Sequence, residues 1–283
     1  RMVDPVLTTI AQGYSNVALV AESLFPIVNV SKLKGKIPVF GREAFIIRET
    51  NRALRSSSNR IPPADLTLVS FETEERDVET AIDYIEEEES PDFARYEQVI
   101  TKNLTDIIAL GREKEAADYV QNPSNFISDL KLEITADKAF DDYTSLFDPI
   151  VIIRDCMAAV RARISRYPNT MVMGDATYRA LMNHPKILDR IKYSGISSAT
   201  PKILAEILEL SEVKVGMSVY TLDGSTYSDV WNDNVILAYV DGNENDKRSE
   251  YNPSYGYFFR REGKPEIDTY YENGGKIKVI RNT

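Results

Sequence analysis

Few side chains in this chain of 283 residues could carry nucleophilic catalysis. It has one histidine, His184, and one cysteine, Cys156. A serine or cysteine nucleophile needs a neighbouring base, most often histidine, and no nucleophile-elbow motif accompanies His184. His184 precedes Pro185 at a predicted helix start, which favours a structural or surface role, and Cys156 falls in an amphipathic pattern as a small hydrophobe. We predict no catalytic residue.

Ligand-binding motifs are incomplete. Three Gly-Lys pairs lack the upstream glycine and the following Ser or Thr of a phosphate-binding loop: Gly35-Lys36, Gly263-Lys264 and Gly275-Lys276. Residues 241–246 resemble a calcium loop, but Asp246 replaces the turn glycine and Asn252 the bidentate glutamate. That segment is therefore interpreted as a solvated loop, and we expect no metal and no cofactor.

Charged residues are concentrated around one predicted hairpin. Arginines surround its tip and carboxylates follow on its returning strand: Arg48, Arg52, Arg55, Arg60, Glu72, Glu74, Glu75, Asp77 and Glu79. Glu86 to Glu89 extend the acidic run, and Arg76 is the one arginine that opposes it. Paired catalytic carboxylates need an environment that separates their pKa values. So dense a run offers no apolar pocket, which favours a solvated face.

Composition limits the class of protein. A hydrophobic content of 43% supports one large core or two modest ones. The net charge of −10 argues against a protein that grips nucleic acid, because such proteins neutralise phosphates with clustered Lys and Arg. No apolar run is long enough to span a membrane, and a single cysteine suits a reducing cytoplasm.

The first half of the chain predicts an arm, a hairpin and a long helix. Residues 2–34 indicate a short helix followed by an extended arm. Runs at 37–47 and 66–78 predict a long hairpin without a third strand. Ser90-Pro91-Asp92 marks the start of a helix of roughly 30 residues with an apolar stripe that includes Ile107. We expect Ile107→Asp to prevent folding by burying a charge.

The second half predicts a compact α/β unit followed by a β-meander. Asp148-Pro149 opens a second helix, and Tyr167-Pro168 ends it. The elements that follow are a strand at 171–173, helices from 175, over 185–192 and over 200–210, and strands at 213–215 and 235–240. The tail predicts a meander in which Tyr255, Tyr257 and Phe259 share one strand face, with a last strand at 277–280.

The order of these blocks resembles the major capsid proteins of tailed bacteriophages over nearly the whole chain. The block DPVLTTIAQGYSN, from Asp4, resembles the N-terminal arm of these proteins, and KGKIPVFGREAF, from Lys34, resembles the start of their extended loop. The block LGREKEAADYV, from Leu110, resembles the end of their long helix, and PNTMVMGDATYRAL, from Pro168, resembles their axial domain. The block PSYGYFFRR, from Pro253, resembles the segment that returns to their peripheral domain. Their joint order carries the resemblance.

The resemblance implies the α+β, Hong Kong 97-like capsid fold. Its implied parts are an N-terminal arm (1–35), an extended hairpin loop (36–85), a peripheral domain with a spine helix (86–147), an axial domain (148–245) and a return to the peripheral domain (246–283). It implies a non-enzymatic subunit whose hexamers and pentamers form an icosahedral shell around double-stranded DNA without sequence-specific binding. The shell would be assembled in the bacterial host cytoplasm. Scaffolding, portal and decoration proteins are partners left open.

The arm and the hairpin would then lie across neighbouring subunits and be mobile in a free subunit. The arginines at the tip of one copy would meet the carboxylates of the next, as an alternative to solvation at both ends. Two other functions stay open at this point. One is the shell of an encapsulin-type cellular nanocompartment, which has the same fold and encloses enzymes, and the other, more remote, is a cytosolic hydrolase.

Overall fold

A computed structural model describes residues 2–14, 16–39, 45–59, 67–134, 139–143, 147–192, 198–242, 249 and 251–283. In this part of the chain the α-helices are α1 (Pro5–Gly13), α2 (Ala21–Leu24), α3 (Tyr84–Glu89), α4 (Phe93–Gln121), α5 (Pro149–Ile164), α6 (Asp175–Met182), α7 (Pro185–Ile191) and α8 (Pro201–Leu208). None of the helices described is both long and apolar enough to cross a membrane.

Among the described residues, the strands form one four-stranded sheet, one three-stranded sheet and three strand pairs. They are β1 (Met2–Val3), β2 (Ile27–Val30), β3 (Lys34–Val39), β4 (Thr67–Glu72), β5 (Val78–Asp83), β6 (Thr170–Gly174), β7 (Glu212–Gly216), β8 (Val219–Tyr220), β9 (Ser228–Asp229), β10 (Val235–Ala238), β11 (Phe258–Arg261), β12 (Ile267–Glu272) and β13 (Ile277–Asn282). The larger sheets have the orders β1-β12-β13-β5 and β10-β6-β7.

Within the ranges that the structure describes, three apolar cores hold these elements together. The first fills the α/β unit, where α5, α7 and α8 pack on β6 and β7 around Met171, Leu181 and Leu204. The second joins α2, the C-terminal half of α4 and the segment around Trp231. The third lies between α1, the N-terminal half of α4 and the four-stranded sheet. Helix α4 contributes to two of the three cores, so it is the spine that the sequence predicts.

Local capping signals set most helix boundaries. At α5, the carboxylate of Asp148 accepts the N–H of Ile150 at 3.0 Å and Pro149 occupies the first turn, as predicted. The spine helix is 29 residues long, but its cap differs from the prediction. Asp92 accepts the N–H of Arg95 at 3.1 Å, whereas Ser90 ends the short helix α3, which is formed by the acidic block and capped by Asp83.

The predicted hairpin is confirmed by the antiparallel pairing of β3 with β4, from Lys34 opposite Glu72 to Val39 opposite Thr67. Its returning strand is shorter than expected. It ends at Glu72, and Val78 begins β5, which pairs with β13 in the four-stranded sheet. The expected run over 66–78 therefore belongs to two sheets, because residues 73–77 are too polar to continue a packed strand.

The prediction of a C-terminal meander is only partly correct. Strands β12 and β13 form the predicted hairpin through the turn at Asn273–Gly275. Strand β11 does not join it and instead pairs in parallel with β2, with Phe258 opposite Ile27. Parallel pairs connect segments that are distant in sequence, so adjacent alternating runs favoured the wrong partner.

The expectation that the N-terminal arm lacks a core of its own is wrong. Leu7 and Ala11 of α1 are buried in the third core, and Leu24 of α2 is buried in the second. The Asp4 N–H also donates to the carbonyl of Ile267 at 2.9 Å. The ordering entropy of this segment is offset by contacts within the same chain, so the described residues of 2–34 are expected to be ordered in a free subunit.

The expectation that Ile107 is buried is also wrong. Its side chain is 56% exposed, whereas Ile100 and Leu104 of the same helix are buried. Helical spacing fixes which residues share a stripe, but it does not fix how far around the helix the contacts extend. In this chain, the third core covers only the N-terminal end of the stripe.

Candidate functional site

The tip of the hairpin, residues 45–59, is exposed throughout. Local hydrogen bonds give it shape: the Asn59 side-chain amide donates to the carbonyls of Glu49 and Asn51, both at 3.0 Å. Large apolar side chains nevertheless face solvent, with Ile47 at 98% and Leu54 at 91% exposure. A folded segment that presents such side chains is typical of a surface that binds another protein.

The predicted arginines lie on this tip. Arg48, Arg52 and Arg55 are exposed, and in the part of the chain that the structure describes they form no ion pair. Arg60 lies outside the described residues. The backbone of Arg55 has a φ of 67°, in the left-handed region that non-glycine residues seldom occupy. The tip is therefore a basic surface beside exposed apolar groups.

The predicted carboxylates divide into two groups. Glu72 pairs with Lys34 across the hairpin at 2.5 Å, and the Tyr270 hydroxyl donates a hydrogen bond to the carboxylate of Glu79 at 2.9 Å. The remaining three are exposed and, within the described residues, have neither a hydrogen bond nor an ion pair: Glu74, Glu75 and Asp77. Arg76, expected to oppose this run, instead pairs with Glu115 on the spine helix at 2.8 Å.

Within one chain, the structure does not bring the arginines and the carboxylates together: no ion pair joins the described tip to residues 72–79. The hairpin contacts its own chain through Phe71, whose ring stacks on Phe259 with centroids 4.4 Å apart. The side chains of Leu68 and Val69 remain about half exposed. A two-stranded ribbon of this kind is marginally stable alone.

An apolar groove of about 350 Å³ lies where the spine helix, the N-terminal segment and the loop before β8 meet. Its lining residues are Asn16, Ala18, Leu19, Asp106, Ile107, Leu110, Met217, Ser218 and Val219. Ile107 and Met217 are both more than half exposed. This groove has no signal in the sequence, because helical periodicity assigns Ile107 to the core and residues 217–219 carry no motif.

The side chains considered for chemistry have structural environments. His184 is 1% exposed and caps α7, its Nδ1 accepting the N–H of Lys186 at 3.2 Å. Cys156 is partly buried, and burial, followed by the charge of Asp155, raises the pKa of its thiol. Asp241 is buried and accepts from the Asn252 amide at 2.9 Å, while residues 243–246 lie outside the described residues. No cluster of three or more potential metal ligands occurs in the described ranges.

We expect the stability of the subunit to fall as the pH decreases below about 6.5. Burial lowers the pKa of His184, with Lys186 adding to the effect and Asp148 and Asp142 opposing it. Just below pH 6.5, the ordinary pKa of histidine, His184 is protonated in the unfolded chain but still neutral in the folded chain. The contribution of neutral His184 to the free energy of unfolding is therefore present above pH 6.5 and is lost on acidification. Urea unfolding across pH 7.5 to 5 measures the loss. His184→Asn retains a capping side chain and should make the free energy of unfolding depend less on pH. An unchanged pH dependence in this variant would contradict the attribution of the effect to His184.

Comparison with known proteins decides what kind of surface this is. The sequence model of the family described as "Phage major capsid protein E" matches residues 116–257. The major capsid protein of Burkholderia phage BcepMu is 41% identical over 284 residues, covering 100% of this chain and 91% of that protein. The chain therefore belongs to the phage major capsid protein family.

Two further capsid and phage proteins are similar to this one. The major capsid protein of Pseudomonas phage JBD67 is 27% identical over 217 residues, covering 76% of this chain and 68% of that protein. The crystal structure of a phage-related protein from Bordetella bronchiseptica RB50 superposes with a TM-score of 0.81 at 27% identity, over 100% of this chain and 91% of that chain.

The capsid protein family fixes the coarse function. Its members are structural and not enzymatic, and they self-assemble into the capsid shell of the virion. The mixed α and β fold is the Hong Kong 97-like fold that the family resemblance implies. The nanocompartment shell and the hydrolase are not favoured. The exposed tip and the groove are therefore candidate contacts between copies of a capsid subunit.

Proposed function

We propose that this capsid protein forms hexameric and pentameric capsomers of an icosahedral shell around double-stranded DNA, held partly by contacts of the hairpin tip with the next subunit. The observation that supports this most is the exposed tip, where three arginines and several large apolar side chains are not covered by any described part of their own chain. A net charge of −10 suits a wall that does not adhere to packaged DNA.

The division of labour follows the ranges predicted from the sequence. Residues 1–35 act as the arm, 36–85 as the extended loop, 86–147 and 246–283 as the peripheral domain, and 148–245 as the axial domain around the capsomer centre. The first core supports the last of these, because all of its buried members lie between Ile150 and Val213. Assembly takes place in the bacterial host cytoplasm, and scaffolding, portal and decoration proteins are the further partners of such a shell.

The tip arginines are proposed to meet the carboxylates of residues 72–79 on the neighbouring copy. Glu74, Glu75 and Asp77 are the better acceptors, because Glu72 and Glu79 already have partners in their own chain. Exposed ion pairs contribute only ~0–1 kcal/mol each. In a closed shell every subunit repeats the contact, so the small free energies of these ion pairs add up over the shell. The same charges also determine which surface of a neighbouring subunit is accepted.

We expect the double variant Arg52→Glu/Arg55→Glu to fold normally and to assemble poorly. The reversal places like charges together at the contact, while both positions are exposed in the subunit. Negative-stain microscopy and size-exclusion chromatography count shells and capsomers, and thermal unfolding reports subunit stability. The control Arg52→Lys/Arg55→Lys keeps the charge and should assemble.

A charge swap tests the partner. Adding Glu74→Arg/Glu75→Arg to the reversed tip should restore shells if these carboxylates are the acceptors, and higher salt should mildly weaken assembly of the unaltered protein. Normal assembly of the reversed tip at low salt would show that the tip is merely solvated. Failure of the unaltered chain to form any shell or capsomer would contradict the proposed function itself.

A further inference from the structure

A buried carboxylate lies at the centre of the second core. Glu113, on the spine helix, is 2% exposed. Its Oε1 accepts the N–H of Val20 at 2.8 Å and the indole N–H of Trp231 at 2.6 Å, and its Oε2 accepts the N–H of Ala21 at 2.8 Å. No cation pairs with it among the described residues. Burying a carboxylate is costly unless hydrogen bonds replace those it made to water. The three donors therefore offset the desolvation cost of Glu113.

The three donors come from segments that are far apart in sequence. Two belong to the N-terminal segment, defined here as residues 16–24, and the third to the segment that follows β9. Trp231 is fixed from its other side: a Cβ on Gly216 would lie only 2.2 Å from the indole ring. The indole N–H therefore reaches the carboxylate from a rigid position.

Polar side chains hold the same two segments on the spine helix at either side of Glu113. Asp106 accepts from the Tyr14 hydroxyl at 3.0 Å and from the Asn16 amide at 3.1 Å. Gln121 donates to the carbonyl of Val230 at 3.0 Å and accepts the N–H of Asn232 at 2.8 Å. Among the hydrogen bonds of the described residues, those of Asp106 reach only the N-terminal side and those of Gln121 reach only the later segment, whereas Glu113 accepts from both. Apolar packing in the second core also joins the two segments, and Glu113 adds the hydrogen-bonded link that they share.

We propose that Glu113 is a positioning residue that couples the docking of the N-terminal segment to the placement of Trp231. If the indole N–H is lost, the buried carboxylate has one hydrogen-bond donor fewer. Water can then reach it when the N-terminal segment opens locally, because that segment supplies the other two donors and local opening costs less free energy than global unfolding. The spine helix, the segment around Trp231 and the arm would thus be held as one body, independently of any contact between subunits.

Hydrogen exchange on the unassembled full chain tests this coupling. Trp231→Phe removes the N–H and keeps an aromatic ring, so the amides of residues 20–24 should exchange at least about tenfold faster, the loss expected for one hydrogen bond to a charged group. Amides of β12 and β13, in the third core, should not change. The matched control is Ile187→Val, which loosens the first core away from Glu113. Equal acceleration of residues 20–24 in both variants, or none in Trp231→Phe, would overturn the proposal.

A second variant keeps the proposal testable if Trp231→Phe folds poorly. Glu113→Gln places an amide N–H₂ against N–H donors, and the chain has a single tryptophan, so its fluorescence reports on Trp231 alone. We expect a red-shifted emission together with faster exchange at residues 20–24. In the double variant Glu113→Gln/Trp231→Phe, the amides of residues 20–24 should exchange no faster than in Glu113→Gln alone, because both changes break the same hydrogen-bond network. Unchanged emission and exchange in Glu113→Gln, or additive effects in the double variant, would sink the coupling.

Discussion

Ile107→Asp is expected to leave the capsid subunit folded and to abolish shell assembly. Ile107 is 56% exposed in the groove beside Met217 and Val219, so the charge stays hydrated in a free subunit and costs ~0.7 kcal/mol or less in helix propensity. If a neighbour covers the groove, the same carboxylate loses its water at every copy, a penalty of several kcal/mol each.

Thermal unfolding of the dilute subunit and electron microscopy of assembly reactions separate the two effects. Asn103→Asp adds the same charge on an exposed polar position of the same helix, four residues away, and should assemble normally. An Ile107→Asp subunit that does not fold would return Ile107 to a core role. One that forms normal shells would show that the groove stays open to solvent.

Among the glycines of the described residues, Gly174 is the one whose replacement by alanine is expected to cost the most stability. A Cβ at this position would lie 1.7 Å from the carbonyl oxygen of Asn232 and 2.6 Å from that of Trp231. Both obstacles are backbone, so no side chain can rotate away, and the strand before and the helix after Gly174 resist movement. The cost should reach or exceed the upper end of the ~1–3 kcal/mol usual for overpacking. That is a large part of the ~5–15 kcal/mol by which a folded protein is usually stable against unfolding.

Gly111→Ala is the matched control, because nothing lies within 4 Å of its added Cβ. On an exposed position of the spine helix it should stabilise the subunit by ~1 kcal/mol through helix propensity. Urea unfolding of both variants measures the difference. A Gly174→Ala subunit as stable as the unaltered protein would mean that the segment 231–232 is free to move away, which would also weaken the placement argued for Trp231.

The tip charges illustrate how far residue type alone can lead. Sequence placed Arg48, Arg52 and Arg55 on an exposed hairpin tip, because polar and proline-rich stretches rarely form packed strands. It could not distinguish Glu72 and Glu79, which have partners in their own chain, from Glu74 and Asp77, which have no ion pair or hydrogen bond among the described residues. Which carboxylate finds a donor depends on the neighbouring strand, and that neighbour is set by the fold.

What the sequence by itself determined were features governed by a few adjacent residues. Asp148-Pro149 and Thr200-Pro201 begin helices because the cap and the proline act within one turn. The length of the spine helix follows from its uninterrupted periodicity up to Pro123, and the ordered blocks that resemble capsid proteins carried the family.

Only the tertiary structure decided which distant segments meet. The parallel pairing of β11 with β2, the burial of Leu7 and Leu24, and the exposure of Ile107 depend on contacts across most of the chain. Glu113 is the clearest case: one more acidic residue on a charged helix, it becomes a buried acceptor only when Val20, Ala21 and Trp231 converge on it. Local propensities leave such choices open, because the free energy that settles them comes from desolvation and hydrogen bonding between elements.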